Sequence, residues 1–317
     1  RHFTDPRLQQ LFGRYATYVG SSPLQAPATL MLIAHVEQEG VWLVDGGMRA
    51  VASALRDVAE ALGVRFHFDC GVRRVVVEDG RAGGVVTEEG ELLTADSVVY
   101  NGDISALGSG LLGEGAARAV EAVAADRRAL SAITYCAVSE TAGLPLHYHN
   151  VFFDEDYPEE FDAIFRRGEI STKPTVYVCA QDRLGGALPD GPERLLLLIN
   201  APADGDRLRR DEAMLRAYRD LALDLLRACG CELTLDDGQC VTTDPARFEA
   251  RFPGSGGSLY GRANHGPLAS FARPGARSRV TGLYLAGGSA HPGAGVPMSA
   301  MSGRLAAAAL LEDAPGP

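Results

Sequence analysis

Residues 283–308, LYLAGGSAHPGAGVPMSAMSGRLAAA, restrict the fold more than any other stretch of this chain. An apolar run meets GGSAHPGAGVP, where nearly every position is glycine, proline or small, and a helix-like run follows. The pattern predicts a strand over 282–286, a turn stripped of side chains, and a helix from about Pro297 to Leu311. Pro297 suits a first helical turn, where its missing N–H leaves nothing unpaired. Ala300, Gly303, Arg304 and Ala307 recur at three- or four-residue steps and give the helix a face of mostly small residues. A strand feeding such a turn brings main-chain N–H groups together at a helix start, which favours an electron-rich ligand. A tight strand-to-helix connection that uses small residues only for packing has the same pattern, so the loop alone leaves both readings open.

The rest of the chain narrows the choice. Its 317 residues, 46% of them hydrophobic, suffice for two domains. A net charge of −11 argues against the concentrated basic stripe that nucleic acid needs. No run reaches the ~18–20 apolar residues that span a bilayer, and the opening carries no charged-then-apolar signal pattern, so a cytoplasmic chain is expected. Cys70, Cys136, Cys179, Cys229, Cys231 and Cys240 form no CxxC pair and no cluster of metal spacing. They read as reduced, mostly buried thiols with no metal role, and Cys229-Gly230-Cys231 reads as a helix-end turn.

Along the chain, Phe3, Leu8, Leu11 and Phe12 mark an amphipathic segment that opens without methionine and reads as the interior of a longer protein. Val51, Leu55, Val58 and Leu62 predict a helix over 48–62, stopped by Gly63. Strands are expected near 64–68, 72–77, 83–88, 91–93 and 96–100, separated by the turn signals Asp79-Gly80 and Glu89-Gly90. Helical segments follow at about 114–126, 158–167 and 207–228, with strands at 131–139, 174–180 and 194–200. No repeat of fixed period occurs. A GxGxxG at Gly108–Gly113 lacks a strand immediately before it and is not read as a dinucleotide fingerprint.

The segment GLYLAGGSAHPGAGVPMSAMSGRLAAAALLED resembles the C-terminal flavin-binding segment of bacterial-type carotenoid desaturases, within the flavin amine-oxidase superfamily. Further matches keep their order: Thr4–Leu8 with Tyr18-Val19-Gly20 and Pro23, Gly40-Val41-Trp42 with Gly46-Gly47-Met48, Val98–Asp103, Leu259-Tyr260-Gly261, and Phe271 with Arg273-Pro274. The continuation Pro297–Gly303 is similar to that of 1-hydroxycarotenoid 3,4-desaturases. The resemblance is weakest over 145–250, and the strand with GxGxxG that opens family members has no counterpart at the start of this sequence.

The resemblance implies an α/β (α+β mix) fold: the C-terminal part of a two-domain FAD-dependent oxidoreductase, with an incomplete Rossmann-like FAD domain and a mixed-sheet and helical substrate domain. The substrate domain takes 1–35 and 104–279, and the FAD domain takes 36–103 and 280–317. Gly287, Gly288, Ser289, Gly295, Val296, Pro297 and Met298 are implied to line the flavin and its ribityl chain. Val72 is implied to meet the adenine, with an ordinary strand residue as the alternative, and Asn101 and Asp103 lie where the chain returns past the cofactor. The implied reaction removes a hydride to flavin N5 and a proton from the neighbouring carbon of a carotenoid, with quinone or oxygen as final acceptor. Implied alternatives are a flavin-dependent cis–trans isomerase and a non-catalytic carotenoid-binding protein. With half of the FAD cleft unaccounted for, weak FAD binding and no activity are expected of these residues alone.

Candidates for the substrate side are His291, His265, Tyr260, Glu37 and His149. His291 is alternatively a structural cap of the turn, and His147 with His149 a solvent-exposed hairpin. Trp42, Phe152, Phe153, Tyr177 and Tyr260 line a substrate tunnel or, by default, fill core. Peripheral membrane docking is expected for an enzyme of membrane-dissolved substrates, with 19–34 as the candidate patch or else core lining.

Overall fold

The structure, a computed structural model, describes residues 3–314; Arg1, His2 and 315–317, the ends of the outer two expected segments, lie outside the described residues. Helices and sheets alternate without a regular βα repeat, as the sequence pattern predicts. Strands β1 (Val72–Glu78), β2 (Arg81–Thr87) and β3 (Leu92–Thr94) form an antiparallel meander, and β4 (Val98–Tyr100) follows. The middle of the chain holds β5 (Ser131–Ser139), β6 (Thr141–Gly143), β7 (His149–Phe152), β8 (Val176–Ala180), β9 (Glu193–Ala201), β10 (Cys231–Leu233) and β11 (Cys240–Thr243). Strand β12 (Leu283–Leu285) precedes the helix Val296–Asp313.

Five strands in the order β11-β5-β9-β8-β7 make an antiparallel sheet. Its core sits on one face, where Ile133, Tyr135, Leu195, Leu197 and Ile199 are at most 2% exposed. The helix Glu212–Ala228 covers that face with Leu215, Ala222 and Leu226, one helical stripe. Asp211 starts it by accepting a hydrogen bond from the Met214 amide at 2.8 Å, and the buried Tyr135 hydroxyl donates to the Leu215 carbonyl at 2.9 Å. Full burial of each large aliphatic side chain contributes ~1.5–3 kcal/mol.

The second core gathers Val75 and Ala82 of the meander, Leu107, and Leu283 and Leu285 of β12. Here β12 pairs in parallel with β4, with Leu283 opposite Val98 and Leu285 opposite Tyr100. Two segments remote in the chain therefore meet at one edge, and this meeting positions the site described below.

Several expected elements differ. Residues 64–68 form no strand: Phe66 and Phe68 stack on each other, exposed, and no neighbouring strand among the described residues pairs with them. The helix expected over 114–126 covers only Glu114–Ala117, and just beyond its end the Ala119 carbonyl accepts from the Arg279 amide. The helix expected from 207 starts at Glu212, where Asp211 caps it. Strands β6, β10 and β11 and the helix Pro245–Arg251 carry no clear period and lie outside the sequence-based expectations. The thiols are not mostly buried: only Cys179 and Cys231 are, while Cys70, Cys136 and Cys229 are exposed, Cys136 because strand alternation turns it outward on β5. Trp42 is 81% exposed and lines no tunnel among the described residues. No metal-holding cluster and no helix long and apolar enough to cross a membrane occur among the described residues.

Candidate functional site

Because β4 and β12 run parallel and in register, the turn Asn101–Asp103 and the loop after Leu285 leave the same edge side by side. The crevice beyond the carboxyl ends of parallel strands is a general ligand position. The Ala286 amide bonds the Tyr100 carbonyl at 2.9 Å and continues the pairing into the loop.

Side chains are missing from the loop for two separate reasons. At Gly287, with φ +107°, a Cβ would come 2.6 Å from Asn101 Nδ2, and at Gly293 it would come 3.2 Å from Arg273 Nε. These glycines let the loop sit close against its support. At Gly295, with φ +104°, a Cβ would meet nothing within 4 Å. The turn is therefore open on that side, and Gly295 leads into an 18-residue helix with no side-chain cap. Val296 and Met298, in its first turn, are 59% and 40% exposed. An uncapped helix start beside open space suits an electron-rich ligand edge.

Of the remaining expected cofactor residues, Ser289 and Asp103 lie at this edge. The Ser289 side chain is buried behind the loop, where its Oγ accepts from the Ile104 amide at 3.1 Å, so only its main chain can face a ligand. Asp103 caps the next helix by accepting from the Ser105 amide at 2.8 Å. Val72 opens β1, opposite Thr87. A cavity of about 670 Å³ also touches the loop, through Ser289 and Arg273, but Gly287, Gly288 and Gly295–Met298 do not line it. The open side of the turn is therefore not part of this cavity.

The expected substrate-side residues divide. His265 Nε2 accepts from the Ser22 amide at 3.0 Å, which occupies the lone pair a base would need, and burial lowers its pKa. His291 donates its amide to the Pro274 carbonyl at 2.9 Å, and its ring makes no hydrogen bond among the described residues. Tyr260 packs against Gly20, and burial raises its pKa. Glu37 accepts from the Tyr15 hydroxyl at 2.8 Å, and the Tyr15 ring meets Tyr18 edge-on at 5.4 Å. His149 Nδ1 lies 2.7 Å from the Tyr177 hydroxyl; burial lowers its pKa and the Glu37 charge opposes that shift. The Glu37 charge reaches Tyr18 and His149, and Tyr18 reaches Tyr177 and Tyr260, so with Tyr15 these residues form one aromatic and polar patch, tied to the loop only at Tyr260, whose carbonyl shares the Arg273 guanidinium with Gly288. His147 does not join it: its amide bonds the Asn150 side chain at 2.8 Å. In the stretch 19–34, Ser21 and Ser22 are buried whereas Leu24 and Leu32 are exposed.

Arg273 is the residue that sequence reasoning passed over. Only 5% exposed, it donates to the carbonyls of Tyr260 at 2.9 Å, Gly288 at 3.0 Å and Arg262 at 2.9 Å. Burial pushes its pKa down to about 10, partly opposed by the Asp103 charge. Its place in Phe271-Ala272-Arg273-Pro274 was the available signal.

Comparison with known proteins gives a consistent picture. Residues 1–311 match the family described as flavin containing amine oxidoreductase. The chain is 56% identical over 312 residues to hydroxyneurosporene desaturase of Rubrivivax gelatinosus, covering 98% of this chain and 59% of that protein. It is 31% identical to 1-hydroxycarotenoid 3,4-desaturase of Flavobacterium sp., covering 97% of this chain and 63% of that protein. The chain therefore spans about three fifths of the length of these curated relatives. Among solved structures, an oxidoreductase from Methanosarcina mazei superposes with a TM-score of 0.60 at 18% identity, covering 98% of this chain and 66% of that one. A putrescine oxidase variant superposes with a TM-score of 0.51 at 14% identity, covering 98% and 66%. These two likenesses concern the fold alone.

Proposed function

Since the chain belongs to the flavin containing amine oxidoreductase family, we propose that it serves FAD-dependent desaturation of a carotenoid, a 1-hydroxycarotenoid at C3,4. The observation that carries this reading is the turn at Gly295, bare, open on one side and leading into an uncapped helix. Main-chain atoms of Gly287, Gly288, Ser289 and Gly295–Met298 would hold the ring and ribityl chain, with Val72, Asn101 and Asp103 toward the nucleotide end. Bound there, the flavin would supply the two-electron acceptor that a C–C desaturation needs.

The chain's own residues orient the substrate and exclude water. In this reading 36–103 and 280–317 form the cofactor half, and 1–35 and 104–279 the substrate half. The patch from Tyr260 to Tyr177 supplies aromatic surface for a polyene, and Glu37 its carboxylate acceptor. His291 is the one expected candidate on the loop itself. Exposed Leu24 and Leu32 support contact with a membrane surface, from which the substrate arrives and where a quinone acceptor resides; oxygen is the other acceptor.

The test joins this chain to the N-terminal segment of the Rubrivivax gelatinosus relative and adds FAD. A visible flavin band, together with loss of two hydrogens from a 1-hydroxycarotenoid by mass spectrometry, is expected. Product of unchanged mass would indicate isomerisation, and the absence of any flavin band would end the reading.

A further inference from the structure

Arg273 is a buried cation with no carboxylate hydrogen-bonded to it among the described residues. Its three acceptors are main-chain carbonyls from two segments, Tyr260 and Arg262 on one side and Gly288 of the bare loop on the other. The next residue reinforces the link, since the Pro274 carbonyl accepts from the His291 amide at 2.9 Å. Gly293 lies so close that a Cβ there would come 3.2 Å from Arg273 Nε. Gly261 lies between Tyr260 and Arg262, and its Cβ would come 2.8 Å from Ser289 Cβ. The loop is thus pressed onto the guanidinium from Gly288 to Gly293.

We propose that Arg273 is a positioning residue of the ring-binding loop, its planar fork fixing the course of Gly288–Gly293 so that the side at Gly295 stays open. An ammonium group is a point charge and cannot reach three carbonyls with the same fixed geometry. The proposal rests on the flavin reading for its meaning but not for its first test.

That test is hydrogen exchange on the chain without cofactor, comparing wild type with Arg273→Met and Arg273→Lys. Exchange over 286–295 is expected to rise at least tenfold in Arg273→Met and less in Arg273→Lys, while β5 and β9 keep their protection. Added guanidinium should restore part of the Arg273→Met loss. Loop exchange equal to wild type in both variants overturns the proposal. If Arg273→Met loses protection throughout, Arg273→Lys decides: faster loop exchange supports the proposal, and wild-type exchange sinks it. In the FAD-binding fusion, flavin fluorescence should report at least tenfold weaker binding for Arg273→Met. Failure of the wild-type fusion to bind FAD would count against the flavin reading and leave the exchange result standing.

Discussion

The five-stranded sheet and the segment 32–71 both carry amphipathic patterns, yet they end in opposite states. In the sheet the apolar alternation is buried to 2% or less at Ile133, Leu195, Leu197 and Ile199. In the helix Met48–Ala61 no residue is buried, and Leu55, Val58 and the following Leu62 are 67%, 59% and 80% exposed. Period selects the type of element in both regions. Among the described residues a partner covers the apolar face of the sheet and none covers that of the 14-residue helix, so burial stabilises the first and not the second.

The contrast can be sharpened by substitutions of decreasing effect. Arg183→Met should be the most damaging, at about 3–5 kcal/mol in denaturant unfolding. It strips the partner, 2.7 Å away, from Glu193, whose side chain is 2% exposed. Leu197→Ala, in the middle of the sheet, should cost about 2–5 kcal/mol by the same measurement.

Glu160 gives a pH-dependent test. Burial raises its pKa, against hydrogen bonds from Thr175 and Asn200. The folded state therefore holds a proton that the unfolded state releases above about pH 4.3, and stability should fall as pH rises from there toward the folded pKa. Glu160→Gln should flatten that fall, read as the melting temperature from acid to neutral pH. An unchanged slope would mean that Glu160 is not its source. Leu55→Ala, on the uncovered helix, should change stability by no more than about 0.5 kcal/mol. A loss near that of Leu197→Ala would show that this face is covered in solution.

Much of the fold was legible because local pattern sets it. The period of 131–139 and 194–200 anticipated β5 and β9 to within a residue, and the small-residue run anticipated the loop and the helix Val296–Asp313. The failures share a cause. Residues 64–68 alternate like a strand but have no ladder partner among the described residues, and the segment after the helix at Glu114 bonds a distant amide through the Ala119 carbonyl. His265, a substrate-side candidate by sequence, has its Nε2 occupied by the amide of Ser22, far off in the chain. Arg273 carried no local signal of its role, and burial among three carbonyls distinguishes it.

The sequence by itself determined that residues 287–295 would be bare main chain between a strand and a helix, since glycine and proline act on the chain's own torsions. Tertiary structure alone decided which side of that loop is open. Asn101, Gly261 and Arg273 close its back through contacts between segments remote in the chain, and nothing within 4 Å fills the space where a Cβ of Gly295 would stand. Such contacts depend on three-dimensional packing, which local periodicity does not encode.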